Sequence, residues 1–467
     1  MARADRRAPL ALWLGAGAFA AGFGALSMLR HRSFETGRFD LGNMVQAVWF
    51  TAHGHPLRVT NLRGEQVLRL GAHLDPVLVL FAPLWWLWPS PDLLLVAQST
   101  ALALGALPVY WLARKHVGSR RAGLGFALMY LVYPATTWLA LNEFHPGALA
   151  TPALLFAFWY LDEDRLVAFA VFAFVAAICR EDMPLVIAGF GVWYAFTRGR
   201  RREGLAIAAA SVVWTLVAVA LVIPHFRGGQ TPFVGRYSEA RAAALHHPWS
   251  LFGIAFDHVG VRYLLTLVLP LAGLCLLAPI ALAAVPALAL NLLSAVPAQS
   301  SIHFHYTAAI IPPLVAAAVL GGARVRERVG APVASIALGA ALIGNYLLGA
   351  IPIWNELPHG ESVQSRAAVV TKHDRVAARA LALIPPQAPV SATNSLGAHL
   401  SARSRVLSFP YIQDAEWIAV DETRPGYADR LAPLPAAAQV VWLRRNPAWR
   451  LVFERDGVLV FHRVLPP

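Results

Sequence analysis

The chain has 467 residues, of which 57% are hydrophobic and only 14% are charged, with a formal net charge of +13. A soluble domain carries about 25% charged residues, so this composition excludes an ordinary soluble protein and favours an integral membrane protein. The part of the chain before Asn355 carries +10 of this charge, mostly in short loops between apolar runs. We therefore assign the positive charge to topology and to contact with membrane lipids, and we expect no nucleic acid partner.

The first apolar run, 8–29, follows Arg3, Arg6 and Arg7. At about 22 residues it is long enough to span a bilayer and too long for the core of a cleaved signal, so we predict an uncleaved anchor. The other runs bring the prediction to about eleven transmembrane helices; they are 91–113, 122–141, 147–160, 166–179, 183–196, 204–223, 263–277, 280–297, 307–323 and 332–353.

Loops rich in Lys and Arg, at 114–121, 198–202 and 324–328, are predicted to face the cytoplasm, together with the N-terminus. We therefore expect a multi-pass protein of the cytoplasmic (inner) membrane, with a transmembrane domain over 1–354. An odd number of crossings places a soluble domain, 355–467, outside the cytoplasm.

Residues 31–90 form the first predicted extracytoplasmic loop. It contains an apolar run, 76–88, whose roughly 13 residues would make a helix of ~20 Å, too short for a ~30 Å hydrocarbon core. We predict an interfacial helix there, with its tryptophans at the membrane surface.

The last quarter of the chain has the pattern of a small α/β domain. An amphipathic helix is predicted over 361–383, and Asp456-Gly457 predicts a hairpin turn. Strands are predicted at 388–392, 405–409, 417–420, 439–443, 451–454 and 458–462.

Three consecutive apolar runs, 147–160, 166–179 and 183–196, are short for a span. Their connecting polar residues must lie below the membrane surface, which predicts a recessed cavity open to the outside. An ionisable group at membrane depth costs about 2.5–3.5 kcal/mol, so such groups are candidates for function.

Asp40 is the first candidate, since a carboxylate just outside the first span could act as a general base. On a helix, Asp40, Asn43 and Gln46 would share one face. The structural alternative is an interfacial helix cap near Arg38.

Two outer segments carry the next candidates. His73 and Asp75 precede the short helix and could bind a metal, relay a proton or cap that helix. Glu143 and His145 occupy a very short outer loop, where the alternative to function is a satisfied turn.

Arg180-Glu181-Asp182 joins two of the short runs. Arg180 could hold a phosphate bidentately, with Glu181 and Asp182 orienting it or holding a cation, or the three could form an internally paired structural triad. His303 and His305 favour contact with a ligand over zinc, which needs about four placed ligands. No cofactor is certain, and a divalent cation stays open.

Several short motifs occur in a fixed order along the chain. They are Phe39-Asp40-Leu41-Gly42, His73-Leu74-Asp75-Pro76, Phe144-His145-Pro146, Arg180-Glu181-Asp182, Val390-Ser391-Ala392-Thr393-Asn394 and His399-Leu400-Ser401. In this order the chain resembles a bacterial family of polytopic membrane proteins of unknown function that is grouped with the GT-C glycosyltransferases. Phe39 and Arg180 depart conservatively from the frequent Tyr and Lys.

The resemblance implies a GT-C-like fold and transfer of a sugar from a polyprenyl-phosphate donor to an envelope glycan, lipid or protein. It places the catalytic carboxylate at Asp40, acting as general base with inversion at the sugar carbon. Arg180 would neutralise the donor phosphate. The other substrate-binding candidates are His73, Asp75, Glu143, His145, Glu181, Asp182, His303 and His305.

Two other functions fit the same polar residues. A transporter or lipid flippase also uses charges within the membrane, although no internal repeat is evident in the sequence. A non-catalytic envelope assembly protein would use the outer domain and tolerate changes in the cavity.

Overall fold

A computed structural model describes residues 8–229, 231–360, 368–426, 428–430 and 435–464. The predicted arginine cluster Arg3, Arg6 and Arg7 lies outside these ranges, as does the beginning of the predicted amphipathic helix 361–383. The remainder of that segment forms a helix only from Lys372 to Leu381.

Most of the described chain is helical. In chain order the helices are α1 Leu10–Arg32, α2 Asn43–Ala52, α3 Ala82–Leu87, α4 Asp92–Leu104, α5 Ala106–Val117, α6 Arg120–Val132, α7 Pro134–Leu141, α8 Pro146–Asp162, α9 Leu166–Ala177, α10 Met183–Thr197, α11 Arg201–Val217, α12 Ile223–Arg227, α13 Ser238–His246, α14 Ser250–Ala255, α15 His258–Val268, α16 Val285–Leu292, α17 Ile311–Val329, α18 Val333–Leu348, α19 Lys372–Leu381, α20 Asn394–His399 and α21 Ala436–Arg445.

Three helices of the described chain are long and apolar enough to cross a membrane: Leu10–Arg32, Asp92–Val117 and Arg201–Arg227. The pair α6 and α7, bent by 49° where Pro134 begins the second helix, would make a fourth. The prediction of about eleven crossings is therefore not confirmed, because most of the other apolar segments form shorter helices.

Two predicted spans are broken by backbone chemistry. In 263–277, α15 ends at Val268, Pro270 follows, and Ala272 and Gly273 both have positive φ. In 280–297, a short 3-10 segment precedes α16, which ends at Leu292. Proline removes a backbone donor and positive φ ends a right-handed helix, so neither run forms one continuous helix.

The first loop forms a compact layer beside α4. A π-helical turn, Arg38–Gly42, leads into α2, and the hairpin of β1 (Arg58–Thr60) and β2 (Gln66–Leu68) follows. The predicted interfacial segment is a 3-10 helix, Pro76–Phe81, continued by α3. The apolar side chains of these elements form their own core with Leu93, Leu94 and Leu95 of α4.

The C-terminal region is a small three-layer α/β domain. Its strands are β3 Val390–Ala392, β4 Val406–Ser408, β5 Trp417–Asp421, β6 Trp449–Arg455 and β7 Val458–Arg463, in the order β4-β3-β5-β7-β6. The first three are parallel, and β5, β7 and β6 are antiparallel. Alternate residues of β5 face opposite layers, Ala419 towards α19 and Ile418 towards α21.

One predicted strand is wrong. Residues 439–443 lie inside α21, which begins after Pro435. Val440, Val441 and Trp442 have high strand propensity, but Val440 and Leu443 are one helical turn apart and are both buried in the core. Tertiary packing of that face outweighs the local preference.

The C-terminal domain packs directly against the first loop. The buried guanidinium of Arg38 donates to the Ser408 hydroxyl at 2.7 Å and to the Val406 carbonyl at 2.8 Å. Gln46 donates to the Arg403 carbonyl at 3.1 Å. The first loop and the C-terminal domain therefore lie at the same end of the molecule.

A charged cluster marks the other end. α8 begins after His145 and ends at Asp162, a buried carboxylate that contacts Lys115 at 2.7 Å and His116 at 2.8 Å. Arg198 and Arg324 line one cavity beside Asp162, so all three basic loops meet here.

Candidate functional site

Asp40 projects from the π-helical turn Arg38–Gly42, with 43% of its side chain exposed. Arg38, Leu41 and Gly42 of the same turn are buried. The predicted common face with Gln46 does not form, because the Gln46 side chain is buried in hydrogen bonds to Thr60. The turn thus leaves the Asp40 carboxylate accessible on a fixed backbone.

Glu143, in the loop between α7 and α8, holds the backbone on both sides of Asp40. Its carboxylate accepts the N–H of Gly37 at 3.1 Å and that of Leu41 at 2.9 Å. Burial first, and then the charge of Asp40, raise the pKa of Glu143 to about 8, against the opposing effect of these hydrogen bonds. The residue itself has φ of 25°, a strained conformation for a side chain of this size.

His145 and His305 stack beside Asp40. The two rings lie 3.7 Å apart, and Nε2 of His145 is 3.5 Å from Oδ1 of Asp40. Burial first, and then the electrostatic effects of His145 and Arg180, lower the pKa of His305 well below its usual value. His305 is therefore neutral at physiological pH, and the pair offers ring nitrogens next to an exposed carboxylate.

Arg180 lies next to this histidine pair and is mostly buried. Its guanidinium makes a bidentate contact with Asp182, with Nε 2.6 Å from Oδ1. A methyl group at Gly147 would lie only 3.3 Å from Nη1, so the glycine leaves space for the guanidinium at the start of α8. Two of the three residues of the predicted triad, Arg180 and Asp182, are therefore paired with each other, as the structural alternative predicted for the whole triad.

Glu181 turns away from Arg180 towards the first loop. Its carboxylate contacts Nδ1 of His73 at 2.8 Å and accepts the Leu74 N–H at 3.0 Å. Burial would raise the pKa of Glu181, but His73 and Arg180 outweigh it and lower the pKa to about 2. This contact joins the segment before the short helix to the 180–182 loop.

Asp75 pairs with an arginine and does not cap the helix that follows it. Its side chain makes no cap to the following helix and instead contacts Arg69, at 2.6 Å from Nη2. Both groups are almost fully buried. This pair braces the first loop and occupies the Asp75 carboxylate.

His303 occupies the loop before α17. Its Nδ1 lies 2.9 Å from the Ser301 hydroxyl, and its ring packs edge-on against Trp138. The described residues thus bring together Asp40, Glu143, His145, His305, Arg180, Glu181, Asp182 and His73.

Three residues near this centre were not predicted. Asn394 of the C-terminal domain accepts the Phe39 N–H at 3.0 Å, and its motif was noted in the sequence without a site role. The charge of Arg236 contributes to the lowered pKa of His305, and the charges of Asp182 and Arg180 act on the phenol group of Tyr237. Arg236 and Tyr237 stand in a polar stretch that hydropathy assigns to an ordinary outer loop.

Within the described ranges, no group of three or more His, Cys, Asp or Glu side chains has an arrangement that could hold a metal ion. The carboxylates are instead distributed among separate partners: backbone N–H groups for Glu143, Arg180 for Asp182 and His73 for Glu181.

These features define an integral membrane protein with a cluster of buried charges under a small α/β domain. The chain belongs to the family described as "Predicted membrane protein (DUF2079)", whose model matches residues 30–460. No protein among the curated sequences matches it significantly.

The fold is similar to that of ArnT from Cupriavidus metallidurans. The structure of ArnT bound to undecaprenyl phosphate matches with a TM-score of 0.57 and 13% identity, over 96% of this chain and 97% of ArnT. The apo structure matches with a TM-score of 0.52 and 14% identity, over 96% and 98%. The resemblance to GT-C membrane glycosyltransferases is thereby confirmed for the fold.

Proposed function

We propose that the protein is a membrane glycosyltransferase that moves a sugar from a polyprenyl-phosphate donor to an extracytoplasmic acceptor. The observation that carries the proposal is the placement of Asp40: its accessible carboxylate lies 3.5 Å from His145, which stacks on His305, and the charge of Arg180 acts on His305 in turn. The fold shared with ArnT, one of whose structures holds undecaprenyl phosphate, supports a lipid phosphate as the donor carrier.

In this proposal Asp40 removes the proton of an acceptor hydroxyl as that oxygen attacks the anomeric carbon of the sugar. The bond between the anomeric carbon and the phosphate oxygen breaks, and its electron pair leaves with the polyprenyl phosphate. Attack opposite the leaving group inverts the sugar carbon. Arg180, held in orientation by Asp182, stabilises the phosphate.

The arrangement of charges supports an orientation. The basic loops meet near Asp162, at the opposite end of α8 from His145. With basic loops towards the cytoplasm, as the positive-inside rule requires, the Asp40 centre and the C-terminal domain face outwards. In this proposal the protein lies in the cytoplasmic (inner) membrane, and the acceptor is an envelope glycan, lipid or protein.

The test is a transfer assay with purified protein in lipid nanodiscs, a panel of undecaprenyl-phosphate sugars and crude envelope acceptor. Wild type is compared with Asp40→Asn and with Glu454→Gln, an exposed control carboxylate paired with Arg444. We expect Asp40→Asn to lose about 10²-fold or more of the turnover, as for a general base. Assays with a chelator and with added Mg²⁺ or Mn²⁺ test the divalent cation.

Normal turnover by a folded Asp40→Asn protein would refute the assignment of Asp40. Movement of lipid or sugar across proteoliposomes without a covalent product would favour the transporter or flippase. If variants at Asp40 and at Arg180 both restore the envelope of a strain that lacks the protein, the role as a non-catalytic assembly protein is favoured.

A further inference from the structure

The backbone of the Asp40 turn is held by side chains from two directions. The first N–H groups of a helix have no partner within the helix. Here Glu143, from the transmembrane part, accepts the N–H groups of Gly37 and Leu41. The intervening N–H of Phe39 donates to the side-chain oxygen of Asn394, which is 355 residues away in the C-terminal domain.

Asn394 is itself fixed within the C-terminal domain. Its backbone N–H donates to Oδ1 of Asp429 at 2.7 Å, and Oδ2 of Asp429 accepts the Gly426 N–H at 2.7 Å. The residue stands at the start of α20, directly after β3. A movement of this part of the domain would therefore be transmitted to the Phe39 amide.

The contact leaves little space for a side chain on either backbone. A methyl group at Gly37 would lie 2.5 Å from Nδ2 of Asn394. One at Gly397 would lie 3.0 Å from the Arg38 side chain. A side chain at Gly37 would displace Asn394, and one at Gly397 would press on Arg38, so α20 packs directly against the turn that carries Asp40.

We infer that the C-terminal domain is part of the reaction centre and that Asn394 is a positioning residue for Asp40. Its hydrogen bond with Phe39 fixes the turn, and hence the direction in which the Asp40 carboxylate points. The predicted loss of transfer rate rests on the proposed glycosyltransferase function. The predicted effect of Asn394 on the backbone of the Asp40 turn does not.

Amide hydrogen exchange tests the structural side in full-length protein. In Asn394→Ala, we expect the peptide covering 37–42 to exchange about 10-fold faster, with the peptide covering α8 unchanged. Asn446→Ala is the matched control, since its side-chain oxygen also accepts a backbone N–H, that of Ala448, elsewhere in the same domain. Unchanged exchange in 37–42, or faster exchange throughout the C-terminal domain, would overturn the inference.

Asn394→Asp keeps the acceptor for the Phe39 N–H and adds a negative charge. We expect slow exchange in 37–42 to be retained, while the acidic limb of the transfer profile moves to higher pH, because a nearby anion disfavours ionised Asp40. Faster exchange in this variant, equal to that of Asn394→Ala, would show that the acceptor oxygen does not position the turn.

The kinetic prediction is a fall in kcat of about 10–100-fold in Asn394→Ala, with the KM for the donor within about 2-fold, since misplacement of a reacting group costs rate rather than binding. A large rise in KM at unchanged kcat would overturn the positioning role. An inactive wild type would refute the proposed function, and the exchange result would still decide whether Asn394 holds the turn.

Discussion

Oε2 of Glu143 accepts the N–H of Leu41 at 2.9 Å, although the two residues are 102 positions apart. The same carboxylate accepts the N–H of Gly37, so it brackets Asp40 from within the transmembrane part. A buried carboxyl in this place, close to a second carboxylate, has a raised pKa and retains its proton more readily.

The raised pKa of Glu143 predicts a pH dependence of stability. A carboxyl with a usual pKa of 4.5 and a folded-state pKa of about 8 binds more protons in the folded state between those values. Its favourable contribution is complete below pH 4.5 and is lost as the pH rises through 8. In Glu143→Gln, we expect the midpoint of thermal unfolding to fall less between pH 5 and pH 8.5 than in wild type.

The matched control for this measurement is Glu163→Gln, a partly exposed carboxylate at the far end of α8 that contacts Lys115. It should follow the wild-type pH dependence closely in the same range. Parallel curves for wild type and Glu143→Gln would contradict the raised pKa.

Arg180→Ala should weaken binding of undecaprenyl phosphate about 10-fold or more, because a charge-assisted hydrogen bond to phosphate contributes about 1.5–3 kcal/mol. Native mass spectrometry with the lipid phosphate alone measures this without any sugar transfer. Arg328→Ala, an exposed arginine near the end of α17, is the control and should bind as wild type does. Equal affinity for both variants would remove Arg180 from the donor site.

His373 links α19 to the sheet through Asp421 and Asp456, at 2.9 Å from each. Burial alone would lower its pKa, but the hydrogen bonds to Asp421 and Asp456 raise it above 6.5. The stabilising contribution is therefore complete below pH 6.5 and is lost as the pH rises through the folded-state value. We expect His373→Gln to speed amide exchange in α19 more at pH 6 than at pH 9.

Lys372→Gln removes an exposed charge from the neighbouring position and controls for that experiment. Its effect on exchange should be small and similar at both pH values. A His373→Gln effect that does not depend on pH would show that the histidine acts only as a neutral packing group.

Gly42→Ala should loosen the contact between the first loop and the C-terminal domain. The added methyl group would lie 2.5 Å from the Ser401 hydroxyl oxygen and 3.4 Å from its Cβ. We expect a loss of about 1–3 kcal/mol, as for other overpacked sites. Ser401→Ala removes the clashing oxygen, so the double variant should recover most of the loss in a thermal unfolding cycle. Additive losses would contradict this geometry.

Local sequence features predict the class and several elements well. Composition indicates a membrane protein, the family match confirms the resemblance, and Asp456-Gly457 forms the expected hairpin with both residues at positive φ. Such features depend on residues close in the chain, where periodicity and turn chemistry act directly.

Features that depend on side-chain partners brought together by folding were not predictable in the same way. Asp75 resembles a helix cap until Arg69 is folded next to it, and Gln46 resembles a site residue until Thr60 binds it. Hydropathy also treats 263–277 as a span, because it averages over Pro270 and Gly273, which break the helix. The partners of Asp75, Gln46 and Asn394 come from tertiary structure, whereas the broken helices come from local residues that a hydropathy average overlooks.

The order of synthesis gives the Phe39–Asn394 hydrogen bond a further consequence. The two residues are separated by 355 positions, so at about 5–20 residues per second the turn waits roughly 20–70 s for its partner to leave the ribosome. Until then, the Asp40 turn is held by Glu143 and by contacts within the first loop, such as that of Arg38 with the Thr60 carbonyl. A nascent or truncated chain would thus occupy the membrane without the hydrogen bond from Phe39 to Asn394, and the arrival of the last quarter of the polypeptide would complete the support of the Asp40 turn.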